Sequence, residues 1–296
     1  MTAYKKNRFY SVLVFSLFIL PAIGAVFFSV EIPFIMSIGY SFTKWNGLDR
    51  VAEFIGLGNY RELLFDDSVM RNSLVFTLKQ GILFVFFTNA IAMLLAVVLD
   101  SEIRGKNVLR AAFYIPNIVS LVVIGYIWRF VISRGYNSLF EFIRLPFLEY
   151  SWLGNPRLAF ISVLIVSVWQ AIGFYIVIYI AGLQVIPRDV IEAAMIDGSG
   201  AVSRFFRITL PLLMPSVTVA VFHSVSGSLK FMDVVYSLTD GGPGTSTTPI
   251  ALDIYKTAFV YSRFGYGTAK SVVLFLLILV ITFFQVKFFK KQEVEA

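Results

Sequence analysis

The stretch Leu158–Leu183 reads LAFISVLIVSVWQAIGFYIVIYIAGL and contains no charged residue. A helix needs about 20 consecutive apolar residues to cross the hydrocarbon core of a bilayer, and this stretch is long enough. Other apolar blocks of similar length lie on both sides of it, so the chain is predicted to be an all-α polytopic membrane protein. The six predicted transmembrane helices are Phe9–Val30, Leu74–Leu99, Val108–Ile132, Leu158–Leu183, Ile208–Leu229 and Ser271–Phe289.

The composition of the whole chain agrees with this class. Of its 296 residues, 58% are hydrophobic and only 15% are charged. Soluble domains carry about 25% charged residues, so a soluble globular protein is excluded. The chain has no cysteine, which excludes a disulfide framework, a thiolate metal site and a cysteine nucleophile. Its net charge of +7 comes from Lys and Arg between apolar blocks, where membrane anchoring explains them better than nucleic-acid binding.

The distribution of Lys and Arg predicts the orientation in the membrane. Their density is higher in the two tails and in the second and fourth connections than in the other connections. The side with more Lys and Arg faces the cytoplasm. We therefore expect a cytoplasmic tail at residues 1–8, a single transmembrane permease domain at residues 9–289 and a second cytoplasmic tail at residues 290–296. The first apolar block is too long for a secretory signal and is interpreted as a retained helix.

The connection after the fourth predicted span has a pattern of its own. From Ile186 to Gly200 it reads IPRDVIEAAMIDGSG. Pro187 suits the first turn of a helix, and Asp189 is favourable near the positive end of the helix dipole. Gly198 provides a stop signal. The pattern predicts a helix of about ten residues that lies outside the membrane.

This short helix carries an apolar face and two acidic side chains. Ile191, Ala194 and Met195 share one face at positions i, i+3 and i+4. Its alanine side chains are small and make part of the helix narrow, so a cleft in another protein can close around the helix. Glu192 and Asp197 offer negative charges to a basic partner. We interpret the helix as a docking element for a separate subunit.

The same segment resembles the EAA signature of permease subunits in binding-protein-dependent ATP-binding-cassette (ABC) importers. The matching residues are Glu192, Ala193, Ala194, Asp197 and Gly198, followed by Ile208, Leu210, Pro211 and Pro215. Ser199 stands where the family most often has alanine. Other segments are similar to the carbohydrate branch of the family, of the maltose and glycerol-phosphate type. These segments are Phe54–Leu64, Ala181–Pro187, Leu238–Gly244 and Phe264–Ser271.

The resemblance implies the type I ABC importer permease fold and a set of partners. The partners are a second homologous permease in a heterodimer, two cytoplasmic ABC ATPase subunits that bind ATP and Mg, and an external solute-binding protein. The helix at residues 188–197 is then the coupling helix, with Glu192 paired to an ATPase arginine. The chain has no phosphate loop of its own, because in the nearest run Lys270 follows Gly267 by three residues. We expect a carbohydrate transport subunit of the bacterial cell membrane that is not an enzyme and holds no metal.

Two helix faces combine polar, small and aromatic residues. Ser167, Gln170 and Phe174 share a face of the fourth predicted helix at i, i+3 and i+7. The corresponding residues of the fifth are Ser224, Gly227, Ser228 and Phe231. Hydroxyls and amides bind sugar hydroxyls, and aromatic rings cover the apolar faces of sugar rings, so a substrate path is predicted here. Ordinary helix packing uses the same Ser and Gly residues and remains the alternative.

The external segment around Gly241, Gly242 and Pro243 is rich in Gly, Pro and Thr, which is typical of a loop built from turns. The resemblance implies that the binding protein docks or gates the path there. His223 is the single histidine of the chain. It makes a poor proton relay because no intramembrane carboxylate accompanies it.

Two other functional classes fit a polytopic protein. A secondary transporter or channel that works alone needs intramembrane acids or repeat symmetry, and the clear acidic candidate is Glu31 at the edge of the first predicted span. A membrane-embedded enzyme needs a catalytic motif, and the sequence contains neither H-E-x-x-H nor G-x-S-x-G. The permease of a carbohydrate importer remains the favoured interpretation.

Overall fold

The computed structural model describes residues 2–136, 143 and 150–289, with side chains from residue 14 to residue 288. Residues 2–8 of the predicted N-terminal tail form the start of α1, for which only the backbone is described. The predicted C-terminal tail at residues 290–296 lies outside the described residues. The chain divides into two compact units. The first comprises Met1–Asp66 and Ile254–Val273, and the second comprises Asp67–Asp253 and Leu274–Ala296.

The described chain is mostly helical. Up to residue 135 it forms α1 (Thr2–Val26), a π-helical turn (Phe27–Glu31), α2 (Ile32–Tyr40), β1 (Thr43–Lys44), β2 (Glu53–Phe54), α3 (Gly58–Phe65), α4 (Ser68–Asp100), α5 (Lys106–Ile118), α6 (Leu121–Phe130) and a π-helical turn (Val131–Gly135). From residue 156 it forms α7 (Pro156–Val185), α8 (Arg188–Ile196), α9 (Ala201–Arg204), a π-helical turn (Phe205–Thr209), α10 (Leu210–Leu212), α11 (Met214–Leu229), α12 (Asp233–Leu238), α13 (Ile250–Tyr255), a π-helical turn (Lys256–Val260) and α14 (Phe264–Phe289).

The predicted class of an all-α polytopic membrane protein is confirmed. Within the described residues, four helical segments are long and apolar enough to cross a membrane. They are Val14–Tyr40, Ser68–Asp100, Pro156–Val185 and Phe264–Phe288. Two bent helix pairs meet the same criterion when each pair is taken together, which gives up to six spans.

The first predicted span lies within a longer helical segment. The expected helix ends at Val30, whereas the helical segment continues through a π-helical turn to Tyr40. A single carboxylate, Glu31, does not interrupt the helix because the residues after it are again apolar. Pro33 lies in the first turn of α2, directly after the π-helical turn, where the regular α-helical hydrogen bonding is already interrupted.

Two predicted spans are bent rather than straight. The block Val108–Ile132 breaks between α5 and α6 with an angle of 97°, at Val119, which has extended backbone angles. The block Ile208–Leu229 bends by 73° between α10 and α11. Pro211 and Pro215 flank this second bend. Proline donates no hydrogen bond and crowds the preceding turn, so it favours a bend inside an apolar block.

Helix α7 is the central helix of the second unit. Over half of its apolar window is buried (56%), against 28% for α4. Its buried side chains form one apolar cluster with α4 and α11 and another with α4, α6 and α12. Close packing depends on small residues: a side chain at Gly173 would collide with the main-chain carbonyl of Phe113 on α5. Small residues at such positions let membrane helices approach each other.

Side-chain caps fix the starts of the two long helices in this unit. Asp67 precedes α4 and accepts a hydrogen bond from the amide of Met70 at 2.8 Å. Asn155 precedes α7 and accepts hydrogen bonds from the amides of Arg157 and Leu158. These caps satisfy amide groups that a helix leaves unpaired at its first turn.

The first unit contains a small antiparallel hairpin and a set of polar contacts. In the hairpin, Thr43 pairs with Phe54 and Lys44 with Glu53. Arg263 donates two hydrogen bonds to the carboxylate of Glu62, at 2.8 and 2.6 Å. Lys270 is 2% exposed and donates to the hydroxyl of Thr257 at 3.2 Å. The amine of this lysine therefore takes part in the packing of the unit.

Candidate translocation site and coupling helix

A cavity of about 380 Å³ opens in the second unit, between α4, α5, α6, α7 and α11. The residues that line it include polar, aromatic and small types. They are Gln80, Phe84, Asn117, Leu121, Ser167, Gln170, Ala171, Phe174, Tyr175, His223, Gly227, Ser228 and Phe231. A concave site with a few convergent polar groups among aromatic rings is the usual form of a small-molecule binding site.

The cavity brings together most of the residues that the two helix faces predicted. From α7 it includes Ser167, Gln170 and Phe174. From α11 and the residues after it, the cavity includes Gly227, Ser228 and Phe231. These residues come from two sequence-distant helices. Their meeting at one cavity is consistent with the predicted path, and their contact with cargo stays a prediction.

Ser224 is the predicted path residue that does not line this cavity. Its side chain is fully buried, and its hydroxyl accepts a hydrogen bond from Nδ2 of Asn89 at 3.0 Å. The same hydroxyl donates to the carbonyl of Val221. Ser224 therefore holds α11 against α4, which is the packing role that the sequence left open as the alternative.

The wall of the cavity contains an aromatic cluster around the single histidine. The rings of Phe174 and His223 lie 4.7 Å apart, centroid to centroid. The hydroxyl of Tyr175 is 3.0 Å from Nδ1 of His223. All three residues line the cavity, and aromatic rings are suited to pack against the apolar face of a sugar ring.

The hydroxyl groups of the cavity are orientated by their own helices. Ser228 donates to the carbonyl of Val225 at 2.8 Å, and Ser167 donates to the carbonyl of Val163. Each hydroxyl has then used its hydrogen and keeps lone pairs that can accept a hydrogen bond. These two side chains can therefore accept hydrogen bonds from hydroxyl donors in the cavity.

Sequence reasoning missed the contribution of α4 to this cavity. Gln80 lies on α4, is 3% exposed and lines the cavity. Its signal in the sequence is its spacing three residues after Thr77, another polar residue in a mostly apolar block. From the sequence alone, this spacing does not show whether Gln80 faces a cavity or contacts a neighbouring helix. The packing of α4 against α11 in the structure decides between the two.

The helix predicted at residues 188–197 is present as α8, Arg188–Ile196, and its coupling role stays a prediction. Glu192 and Ala193 are exposed, whereas Ala194 is 6% exposed. Of these three predicted contact residues, Ala194 is therefore covered by the chain itself, and the other two are accessible to a partner. Met195 is 51% exposed and Ile196 is 86% exposed. These apolar side chains next to the exposed carboxylate of Glu192 leave a surface on α8 that a protein partner can cover.

The end of α8 is formed by Asp197 and Gly198. The amide of Asp197 donates to the carbonyl of Ala193 at 3.0 Å. Gly198 has a φ of +79°, which glycine adopts without strain at the end of a helix, and its amide donates to the carbonyl of Met195. The predicted stop is confirmed, and it leaves the Asp197 side chain exposed.

The loop that is predicted to be external is held by hydrogen bonds between its threonines and glycines. Gly241 is buried, and its carbonyl accepts from the hydroxyl of Thr248 at 3.1 Å. The hydroxyl of Thr247 donates to the carbonyl of Gly242 at 2.7 Å. Pro243 is half-buried. These hydrogen bonds fix the conformation of the loop. The role of Gly241, Gly242 and Pro243 in docking or gating stays a prediction.

The described residues contain no group of three or more His, Asp and Glu side chains arranged to hold a metal ion. A cavity within a bundle of membrane-spanning helices, together with a separate helix that exposes apolar and acidic side chains, fits a transport subunit of the permease class.

Comparison with known proteins gives the family. Residues 88–294 match the family described as "Binding-protein-dependent transport system inner membrane component". The chain belongs to this family. The predicted class, a permease subunit and not the ATPase, is confirmed, and a transporter that works alone is disfavoured because the family depends on a binding protein.

Curated relatives and a solved structure agree with this assignment. The chain is 39% identical over 279 residues to the probable starch degradation products transport system permease protein AmyD of Thermoanaerobacterium thermosulfurigenes, covering 94% of both chains. It is 33% identical over 262 residues to the multiple sugar-binding transport system permease protein MsmF of Streptococcus mutans, covering 88% of this chain and 90% of that protein.

The fold matches a chain in the crystal structure of a bacterial ABC transporter that imports the acidic polysaccharide alginate. The TM-score is 0.82 at 20% identity, and the match covers 97% of this chain and 98% of the other. The predicted ABC importer permease fold is therefore confirmed.

Proposed function

We propose that this chain forms half of the translocation path of an ATP-driven importer and carries a sugar or oligosaccharide across the inner membrane of a bacterial cell. The observation that supports the proposal best is the cavity itself. Within it, amides, hydroxyls and aromatic rings converge from α4, α5, α7 and α11. The names of the relatives AmyD and MsmF, which refer to starch degradation products and to multiple sugars, also favour a carbohydrate.

The proposed assembly contains a second homologous permease, two cytoplasmic ABC ATPase subunits and an external binding protein. ATP and Mg bind to the ATPase subunits, which close on nucleotide and move α8. The exposed Glu192 and the exposed apolar residues Met195 and Ile196 support this role for α8. The termini and α8 face the cytoplasm in this arrangement, and Gly241, Gly242 and Pro243 face the binding protein.

Reconstitution of the complex tests the proposal. The chain, the second permease and the ATPases are purified together and placed in proteoliposomes, with the binding protein outside and ATP inside. We expect uptake of a sugar that requires both ATP and the binding protein. The chain alone in liposomes is the control and is expected to move no sugar and hydrolyse no ATP. ATP-independent uptake by the chain alone would contradict the proposal.

A further inference from the structure

Gln80 is an unusual residue for the interior of a membrane protein. Its side chain is 3% exposed. Among the described residues, neither Nε2 nor Oε1 of its amide has a hydrogen-bond partner. Both atoms are also inaccessible to water in this conformation, so a ligand in the cavity reaches the amide when the Gln80 side chain rotates toward it. Burying a polar group without a partner is unfavourable by about 1–3 kcal/mol, which favours this rotation once a ligand offers hydrogen bonds.

The position of Gln80 indicates which ligand groups its amide can bind. Gln80 lines the same cavity as Gln170 and Asn117, so three carboxamides come from α4, α7 and α5. A carboxamide donates from nitrogen and accepts at oxygen. It can therefore bond two neighbouring hydroxyls of a sugar at once, giving a hydrogen to one and taking a hydrogen from the other.

The charge of the cavity restricts the ligand further. None of the residues that the structure places in its wall is Asp, Glu, Lys or Arg, and Nδ1 of His223 is occupied by the hydroxyl of Tyr175. An anionic ligand would lose its hydration here without gaining a countercharge from this subunit. That loss amounts to several kcal/mol for a carboxylate, whereas an uncharged polyol loses only hydrogen bonds that the amides and hydroxyls replace.

We infer that Gln80 is a cargo-binding residue and that the cavity it completes accepts an uncharged polyhydroxylated glycan rather than a uronate or a sugar phosphate. The inference rests on the proposed carbohydrate import and deepens it. It also separates this permease by cargo charge from the alginate importer, with which it shares the fold.

The test uses the reconstituted complex and two oligosaccharide pools of similar length. One pool is a starch hydrolysate, which is uncharged, and the other is a polygalacturonate hydrolysate, which is anionic. Wild-type complex is expected to import only from the uncharged pool. Gln80→Met keeps the length of the side chain and removes both polar atoms, and we expect it to lower that uptake at least about tenfold, the loss expected for about 1.4 kcal/mol of binding.

The thermal denaturation midpoint separates a cargo contact from a structural role. Because Gln80 has no hydrogen bond within the described chain, Gln80→Met is expected to leave the midpoint unchanged or to raise it. Gln80→Asn keeps the amide but withdraws it, so intermediate uptake is expected. The matched control is Thr88→Val: Thr88 is also on α4, fully buried and unpartnered among the described residues, but it does not line the cavity. This control is expected to retain uptake.

The possible results of these measurements test the role of Gln80, the charge selectivity and the proposed function separately. Unchanged uptake by Gln80→Met overturns the role of Gln80 and leaves carbohydrate import standing. A lower midpoint together with lower uptake overturns it as well, because it assigns the residue to packing. Import from the anionic pool overturns the charge selectivity. Import from neither pool by a wild-type complex that hydrolyses ATP overturns both the inference and the proposed function.

Discussion

The hydroxyl of Tyr179 on α7 donates a hydrogen bond to Oδ1 of Asn89 on α4, at a distance of 2.6 Å. The amide nitrogen of the same Asn89 donates to the hydroxyl of Ser224 on α11. Tyr179 is fully buried, so water does not compete for these groups. One asparagine thus joins three helices of the second unit, next to the cavity that we assign to the cargo.

Replacing Tyr179 by phenylalanine is expected to destabilise this junction. Tyr179→Phe leaves Oδ1 of Asn89 buried without its donor, and the expected loss is about 1 kcal/mol. The measurement is the thermal denaturation midpoint of the purified complex, which is expected to fall by a few degrees. Tyr126→Phe is the control, because Tyr126 is 53% exposed on α6. Equal midpoints for both variants would contradict the junction.

Reversing the charge of Glu192 is expected to uncouple transport. Glu192→Lys places a cation where the proposed coupling helix presents a carboxylate, so a basic site on the ATPase would repel it. We expect loss of ATP-dependent uptake and weaker copurification of the ATPase subunits. The control is Glu102→Lys, an exposed acid in the other predicted cytoplasmic connection. Normal uptake and normal ATPase association in Glu192→Lys would remove α8 from the coupling role.

Truncating Gln170 is expected to weaken transport without changing capture of the sugar. Gln170→Ala removes an amide from the cavity wall, and we expect uptake to fall by about tenfold. The affinity of the sugar for the isolated binding protein is unaffected, because that protein is a separate chain. Val177→Ala on the exposed side of α7 is the control. A transport rate equal to that of wild type would exclude Gln170 from the path.

A side chain at Gly173 is expected to push α7 away from α5. Gly173→Ala brings a methyl group against the main-chain carbonyl of Phe113, and backbone cannot rotate away as a side chain can. Overpacking of this kind is unfavourable by about 1–3 kcal/mol. The expected result is a lower denaturation midpoint and a lower yield of complex in detergent. Gly24→Ala, where a methyl group meets no atom within 4 Å, is expected to leave both unchanged.

Local patterns in the sequence predicted the elements and part of the site. Hydrophobic runs located the membrane-crossing regions, because the thickness of the bilayer sets the length of a span. Pro187 and Gly198 bounded the coupling helix within a residue or two of α8, because helix ends depend on nearby residues. Periodicity placed Ser167, Gln170 and Phe174 on one face, since 3.6 residues per turn is a property of one helix alone.

The neighbour that each helix face meets was decided only by the tertiary structure. Ser224 and Ser228 share a face of α11, yet Ser224 bonds to Asn89 while Ser228 reaches the cavity. Thr77 and Gln80 are both polar residues on α4, three positions apart. Thr77 accepts a hydrogen bond from the amide of Ile250, whereas the amide of Gln80 has no partner within the described chain. The local period fixes the direction in which a side chain points. The contact it finds depends on helices far away in the sequence, whose approach is set by small residues and by bends.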